Sequence, residues 1–161
     1  MRINAIDVEQ LKAMQEKLRA DPAIGNKSPA VTVRWLGEGS AEVTMGDRKM
    51  LVGGDGNLNA MGALLGSLGA CDIDVVLMHA ALQGLTVEDL RIDVKGEFNT
   101  SGFYGATSRS PEYTQITYTV HLKAPGATPE QLAYLKEKLE NSSPVGKSLK
   151  TPVTFSIELM S

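Results

Sequence analysis

Residues 59–82 read NAMGALLGSLGACDIDVVLMHAAL, and Gln83-Gly84 follows them. The stretch carries no breaker strong enough to end a helix before the glycine that supplies a natural C-terminal stop. A helix from Asn59 to Leu82 would extend roughly 35 Å at 1.5 Å per residue. It is apolar or small on every side, so it cannot be solvated on any face. It must be wrapped by a sheet, another helix or a partner subunit. A membrane span is the obvious competitor, but Asp72 and Asp74 fall inside it. Each carboxylate would cost about 3 kcal/mol at mid-bilayer, and no cationic residues mark the ends. The stretch therefore reads as the buried helix of a soluble protein. Gly62, Gly66 and Gly69 lie beside Ala63, Ser67 and Ala70. A helical glycine costs up to about 1 kcal/mol relative to alanine. Three of them predict close approach by another element, and a second copy of the helix across a dimer axis is a natural partner.

Working outward, strands flank this helix. Before it, three strands are predicted at 30–36, 40–45 and 49–53, joined by Gly37-Glu38-Gly39 and Gly46-Asp47 as hairpin turns. Val31, Val33 and Trp35 alternate with Thr32, Arg34 and Leu36. After the helix, strands are predicted at 90–98 and 113–124, the second with Ile116, Tyr118, Val120 and Leu122 inward. The polar loop 99–111 between them carries Phe103 and Tyr104. Thr128-Pro129-Glu130-Gln131 is a strong helix start, with a cap, a proline at the first helical position and a capping-box Gln. Ser143-Pro144 begins a short second helical turn. Residues 153–159 form the last strand, with Val153, Phe155, Ile157 and Leu159 on one face. Ahead of all this, Asp7 opens a helix to about Arg19, followed by a linker to Pro29. The pattern predicts an α+β fold, one domain over 1–161, with an N-terminal helical extension at about 1–28.

Composition excludes several functions. The chain has 161 residues and a net charge of −3, enough for one real core. Its one cysteine, Cys71, forms no internal disulfide, and a free thiol suits a reducing, cytoplasmic setting. One cysteine and two distant histidines, His79 and His121, build no zinc cage, so no metal and no cofactor is expected. A mildly acidic chain without a basic block is a poor nucleic-acid binder. The start, MRINAIDVEQ, lacks the apolar centre of a signal peptide. No nucleic acid and no membrane is expected as a partner.

The residues open to chemistry are few. Free cysteine is often only a small buried hydrophobe. As a redox thiol, Cys71 would need a cation or a helix N-terminus nearby. Its local charges are Asp72 and Asp74, whose field opposes thiolate formation. His79 lies eight residues on, about 12 Å along the axis, too far to act as base to Cys71, and reads as a core or interface histidine. His121 sits among outward strand positions and reads as solvated. Gly53-Gly54-Asp55-Gly56 lacks the spacing and the Lys-Ser/Thr of a phosphate loop.

In order and spacing, several segments together resemble the OsmC/Ohr family of thiol peroxidases. They are Arg34-Trp35, Gly53-Gly54-Asp55-Gly56, residues 63–71 (ALLGSLGAC), 79–85 (HAALQGL), 90–94 (LRIDV) and 143–149 (SPVGKSL). The resemblance covers nearly everything after Pro29. It implies two three-stranded antiparallel sheets around a long buried central helix, in an intertwined homodimer. It also implies a first cysteine that attacks a hydroperoxide and a second that closes a disulfide, reopened by a dithiol. Cys71 falls on the peroxidatic position. Ser143 replaces the resolving cysteine, and Met61 replaces the family's glutamate, with Ala60 for its proline neighbour. The family's arginine falls near Glu38 or Gly39, which leaves Arg34 or Arg48 as possible substitutes. Two functions follow. One is reduction of organic hydroperoxides through Cys71, with an external thiol as resolving partner. The other is a catalytically degenerate dimer that binds a small apolar ligand or acts as a non-enzymatic stress protein.

Overall fold

A computed structural model of the chain describes residues 1–149 and 153–160. The elements run β1 (Arg2–Ile3), β2 (Ile6–Asp7), α1 (Val8–Ala20), β3 (Thr32–Gly37), β4 (Ser40–Met45), β5 (Arg48–Gly53) and α2 (Ala60–Leu82). They continue with β6 (Asp89–Phe98), β7 (Tyr113–Lys123), α3 (Pro129–Ser142), α4 (Pro144–Ser148) and β8 (Val153–Leu159). A 3-10 turn, Pro22–Gly25, follows α1, with Asp21 accepting from the Ala23 N–H at 3.0 Å. The α+β class and the two three-stranded sheets expected from the sequence are present. The chain divides into two compact units, Gln10–Gly66 and Met1–Glu9 with Ser67–Ser161.

The unit Gln10–Gly66 is built on the meander β3-β4-β5, antiparallel throughout. Its register pairs Val33 with Val43, Trp35 with Ala41, and Val43 with Met50. Because side chains alternate along a strand, one face carries Val33, Trp35, Ala41, Val43, Met50 and Val52. The other carries Arg34, Leu36, Glu42, Thr44, Lys49 and Leu51, with a Lys49–Glu42 ion pair at 3.0 Å. The apolar face is open in the single chain: Val33 is 60% and Trp35 77% exposed. Gly53 closes the loop before α2. Its φ is +76°, and a Cβ there would lie 2.3 Å from the Gly39 carbonyl oxygen, so no side chain fits.

The other unit holds the core. Ile116, Tyr118, Val120 and Leu122 of β7 are all buried, as their alternation predicts. The other buried aliphatic side chains of this unit include Leu68, Val75, Val76 and Ala80 of α2 and Leu135 and Leu139 of α3. Each buried leucine, isoleucine or valine among them contributes about 1.5–3 kcal/mol by leaving water. Ile157 is half-buried and Leu159 exposed. The side chains of Val153 and Phe155, expected inward, lie outside those described. Thr128 forms the expected capping box: Gln131 N–H donates to Thr128 Oγ1 at 3.3 Å, and Thr128 N–H donates to Gln131 Oε1 at 3.0 Å.

One expectation needs correction. The second sheet, ordered β6-β7-β8, is not antiparallel throughout, because β8 runs parallel to β7. The connection between them contains α3 and α4. A crossover of that length returns the chain to the same end of the sheet, which a hairpin cannot do. Within the single chain the long helix is buried over only part of its length. Its buried row is Leu68, Gly69, Asp72, Val75, Val76, His79, Ala80 and Ala81, while Leu64, Gly66 and Ser67 are exposed. Among the described residues α2 is the one helix long and apolar enough to cross a membrane by length and composition.

The N-terminal extension is more than a helix. Asn4 and Ala5 adopt φ of +53° and +62°, turning the chain between β1 and β2. The Asn4 side chain then ties this hairpin to the far end of α2. It donates to the carbonyls of Leu85 (3.1 Å) and Leu77 (3.4 Å) and accepts from Val87 N–H at 2.8 Å.

Candidate active site

The spacing along α2 sets the site. Leu68, Asp72, Val76 and Ala80 follow one another at intervals of four, so they share a face. That face is the buried one, and Asp72 is carried into the core with its neighbours at 0% exposure. Cys71, one position earlier, lies at the margin and is half-buried. Asp74 points outward and is exposed. The two carboxylates that look alike in sequence therefore occupy opposite environments.

Ser143 arrives from the junction of α3 and α4. Its Oγ caps the short helix, accepting from Gly146 N–H at 3.0 Å, and its O–H is directed to Cys71 Sγ at 3.9 Å. The residue is 1% exposed. Gly146 fixes this junction against α2, since a Cβ there would meet Leu68 Cδ1 at 3.6 Å and Ser143 Oγ at 2.9 Å. Tyr118, on the inner face of β7, is 3% exposed.

Cys71, Asp72, Tyr118 and Ser143 thus form one polar cluster in an apolar core. Neither carboxyl oxygen of Asp72 meets a donor at full hydrogen-bond geometry; the hydroxyls of Ser143 and Tyr118 face it. Burial raises the Asp72 pKa, and those two hydroxyls only partly counter it. Burial also pushes the Tyr118 phenol far up, followed by the neighbouring Asp72, then Cys71 and Glu140.

Of the site positions taken from the sequence, Cys71 and Ser143 are brought together, 72 positions apart in the chain. Met61 lies in the first turn of α2, half-buried, in the unit Gln10–Gly66. Arg34, Glu38, Gly39 and Arg48 belong to that same unit. His79 is a buried histidine, its Nδ1 2.9 Å from Tyr134 Oη, and burial and then Lys138 lower its pKa. His121 is not simply solvated: its side chain is 17% exposed, held between Asp93 (2.8 Å) and Glu158 (3.4 Å). Among the described residues no group of His, Cys, Asp and Glu could hold a metal ion. Two members of the cluster, Asp72 and Tyr118, were not singled out by sequence as site residues. The signal for both was periodicity: Asp72 keeps the helical row of Leu68 and Val76, and Tyr118 keeps the inward alternation of β7.

Fold and site define an α+β protein with one helix-borne cysteine seated against a helix-capping serine. The sequence profile of OsmC-like proteins matches residues 53–158, and the chain belongs to that family. No curated protein matches it at a significant level. Solved structures with the same fold include the OsmC-like protein of Mycoplasma pneumoniae, at 14% identity and a TM-score of 0.73, covering 84% of this chain and 99% of that one. An organic hydroperoxide resistance protein of Legionella pneumophila has 15% identity and a TM-score of 0.56, covering 84% and 98%. The organic hydroperoxide resistance protein OhrB of Bacillus subtilis has 15% and 0.52, covering 83% and 98%. At these identities the likeness is one of fold.

Proposed function

We propose that this protein reduces organic hydroperoxides through Cys71, with an external thiol completing the cycle. The observation that carries the reading is the half-buried Cys71 sulfur facing the Ser143 hydroxyl on an OsmC-like scaffold. The names of the hydroperoxide resistance proteins that share the fold support it.

In the proposed cycle the Cys71 thiolate attacks one peroxide oxygen. An S–O bond forms and the O–O bond breaks. Sulfur is oxidised by two electrons, and the alkoxide takes up a proton and leaves as the alcohol. Serine at 143 forms no disulfide. A first external thiol therefore condenses with the sulfenic acid, releasing water, and a second thiol attacks the mixed disulfide to restore Cys71. The protein works in a reducing, cytoplasmic setting, which supplies those thiols.

The active species is a homodimer. The open apolar face of β3-β4-β5 and the exposed N-terminal half of α2 support this, because surfaces of that kind are covered in a stable soluble protein. Turnover of cumene hydroperoxide with a dithiol, compared between wild type and Cys71→Ser, tests the chemistry: loss of turnover in the variant is expected. Equal rates refute the reading. Light scattering tests the assembly, with a mass of about twice 17.2 kDa expected and a monomer at micromolar concentration against it. A second reading, a dimer without peroxidase activity that binds a small apolar ligand, is favoured by Met61 at the family's glutamate position. Tight binding of an aliphatic probe together with Cys71-independent behaviour would establish it.

A further inference from the structure

Asp55-Gly56 is the one place in the sequence where an Asp or Asn precedes glycine. An aspartyl side chain can be attacked by the amide nitrogen of the next residue, and a side chain on that residue crowds the attack. Glycine has none. The fold leaves both reacting groups open. Asp55 and Gly56 are exposed, in the turn between β5 and α2. Gly56 has φ of +80°, and a Cβ there would meet nothing within 4 Å. Among the described residues the Asp55 carboxyl and the Gly56 N–H make no hydrogen bond, and Asp55 makes no ion pair.

The loop is pinned on either side of this pair. Gly53 N–H donates to the Leu58 carbonyl at 2.8 Å, and Asn57 Nδ2 donates to the Gly53 carbonyl at 3.2 Å. Gly54 lies against Ser40, where a Cβ would come within 2.1 Å of Ser40 Oγ. Contacts thus end at Gly54 and resume at Asn57. Asp47 is the natural comparison. It is also exposed in a turn, but Arg48 follows it and stands in β5, in register with Met45.

We propose that Asp55 is a site of spontaneous succinimide formation, and that the isoaspartyl residue this yields loosens the junction of β5 and α2. The inference is independent of the chemistry proposed for Cys71. The Gly56 nitrogen attacks Asp55 Cγ. An N–C bond forms, the carboxyl O–H and the amide proton leave as water, and a five-membered imide closes. Water then reopens the ring. Cleavage between nitrogen and Cγ restores aspartate. Cleavage between nitrogen and the Asp55 backbone carbonyl carbon leaves the chain running through Cβ and Cγ. No electrons are gained or lost, and the water released is returned. The isoaspartyl chain path is longer by one carbon–carbon bond, about 1.5 Å. That bond is added inside the loop closed by the Gly53–Leu58 hydrogen bond. The next residues start α2, where Asn59 Oδ1 accepts from Gly62 N–H at 2.7 Å.

The test is incubation of the folded protein for weeks at neutral pH in heavy-oxygen water, followed by peptide mapping in ordinary water. Each ring opening leaves one heavy oxygen on the residue. Isoaspartyl and aspartyl peptides of equal mass separate by chromatography. Label and a second chromatographic form are expected at Asp55, and neither at Asp47. Asp55→Glu, which would need a six-membered ring, is expected to lose both. An unlabelled Asp55 in the folded protein, or Asp47 labelled to the same extent, overturns the site. In the isoaspartyl fraction, amide exchange at Gly53 is expected to be faster than in unmodified protein. Equal protection at Gly53 overturns the loosening of the junction.

Discussion

Ser143→Cys turns the central contact of the site into a covalent measurement. Ser143 Oγ lies 3.9 Å from Cys71 Sγ, so two thiols at these positions are separated by little more than a side-chain rotation. The positions are 72 residues apart, and closing a loop of that length removes unfolded-state entropy worth about 4.4 kcal/mol. Against this, Ser143 caps α4 through Gly146 N–H, and losing such a cap costs about 1 kcal/mol. The net gain of the oxidised variant is about 3 kcal/mol. With an unfolding entropy of about 2.1 cal/mol/K per residue over the chain, this raises Tm by roughly 9 °C. The reduced variant, with only the lost cap, melts about 3 °C below wild type. Oxidation of the purified variant with one equivalent of peroxide, followed by thiol titration and paired thermal melts, reads both numbers. Persistence of two free thiols after oxidation, or a disulfide found only between chains, would show that Cys71 and Ser143 are not neighbours in the folded chain.

Asn4→Ala breaks the three contacts that fasten the N-terminal hairpin to Leu77, Leu85 and Val87. A loss of about 1–3 kcal/mol is expected in urea unfolding, with faster amide exchange at Val87; an unchanged midpoint would mean the hairpin is not latched. Gly96→Ala places a methyl group 2.4 Å from the buried Tyr113 ring, which packs edge-on against Phe98. It should cost about 1–3 kcal/mol, and an equally stable variant would show that this end of β6 has room to spare. The raised pKa of Asp72 makes stability fall as pH rises, because the folded chain keeps a proton that the unfolded chain releases from about pH 3.9. Asp72→Asn removes that slope, so its stability relative to wild type should climb from pH 4 upward; a parallel pair of stability curves would contradict this. His79 works in the opposite sense: its lowered pKa gives stability that is present above about pH 6.5 and lost as pH falls below it.

Most of the scaffold was legible in the sequence because the physical signals were local. Alternation in 113–124 places Ile116, Tyr118, Val120 and Leu122 inward, and the Thr128 box fixes where α3 begins. The sense of β8 was not local information. It depends on where the crossover through α3 and α4 delivers the chain, and a family likeness suggested the wrong pairing. The glycines of α2 were read as a surface for close approach, and Gly69 is one: a Cβ there would meet Val94 Cγ2 at 3.3 Å. Gly62 and Gly66 lie beside Leu58.

The site was legible in part. Cys71 and Ser143 were paired through resemblance, and their contact is present in the fold. The roles of the two aspartates were not separated, although helical periodicity was sufficient to do it: Asp72 falls in the row of Leu68 and Val76, and Asp74 does not. A carboxyl retained in a core at a net cost, beside the one cysteine, is the pattern expected where function opposes stability.

The most direct test of the central claim is trapping the first product of Cys71 oxidation. Folded protein receives one equivalent of an organic hydroperoxide in the presence of dimedone, and the adduct is located by mass spectrometry. The account predicts a single adduct on the peptide containing Cys71, formed faster in folded than in denatured protein and reduced in Ser143→Ala. Cys71 left unmodified in the folded protein, while the denatured chain reacts, would contradict it.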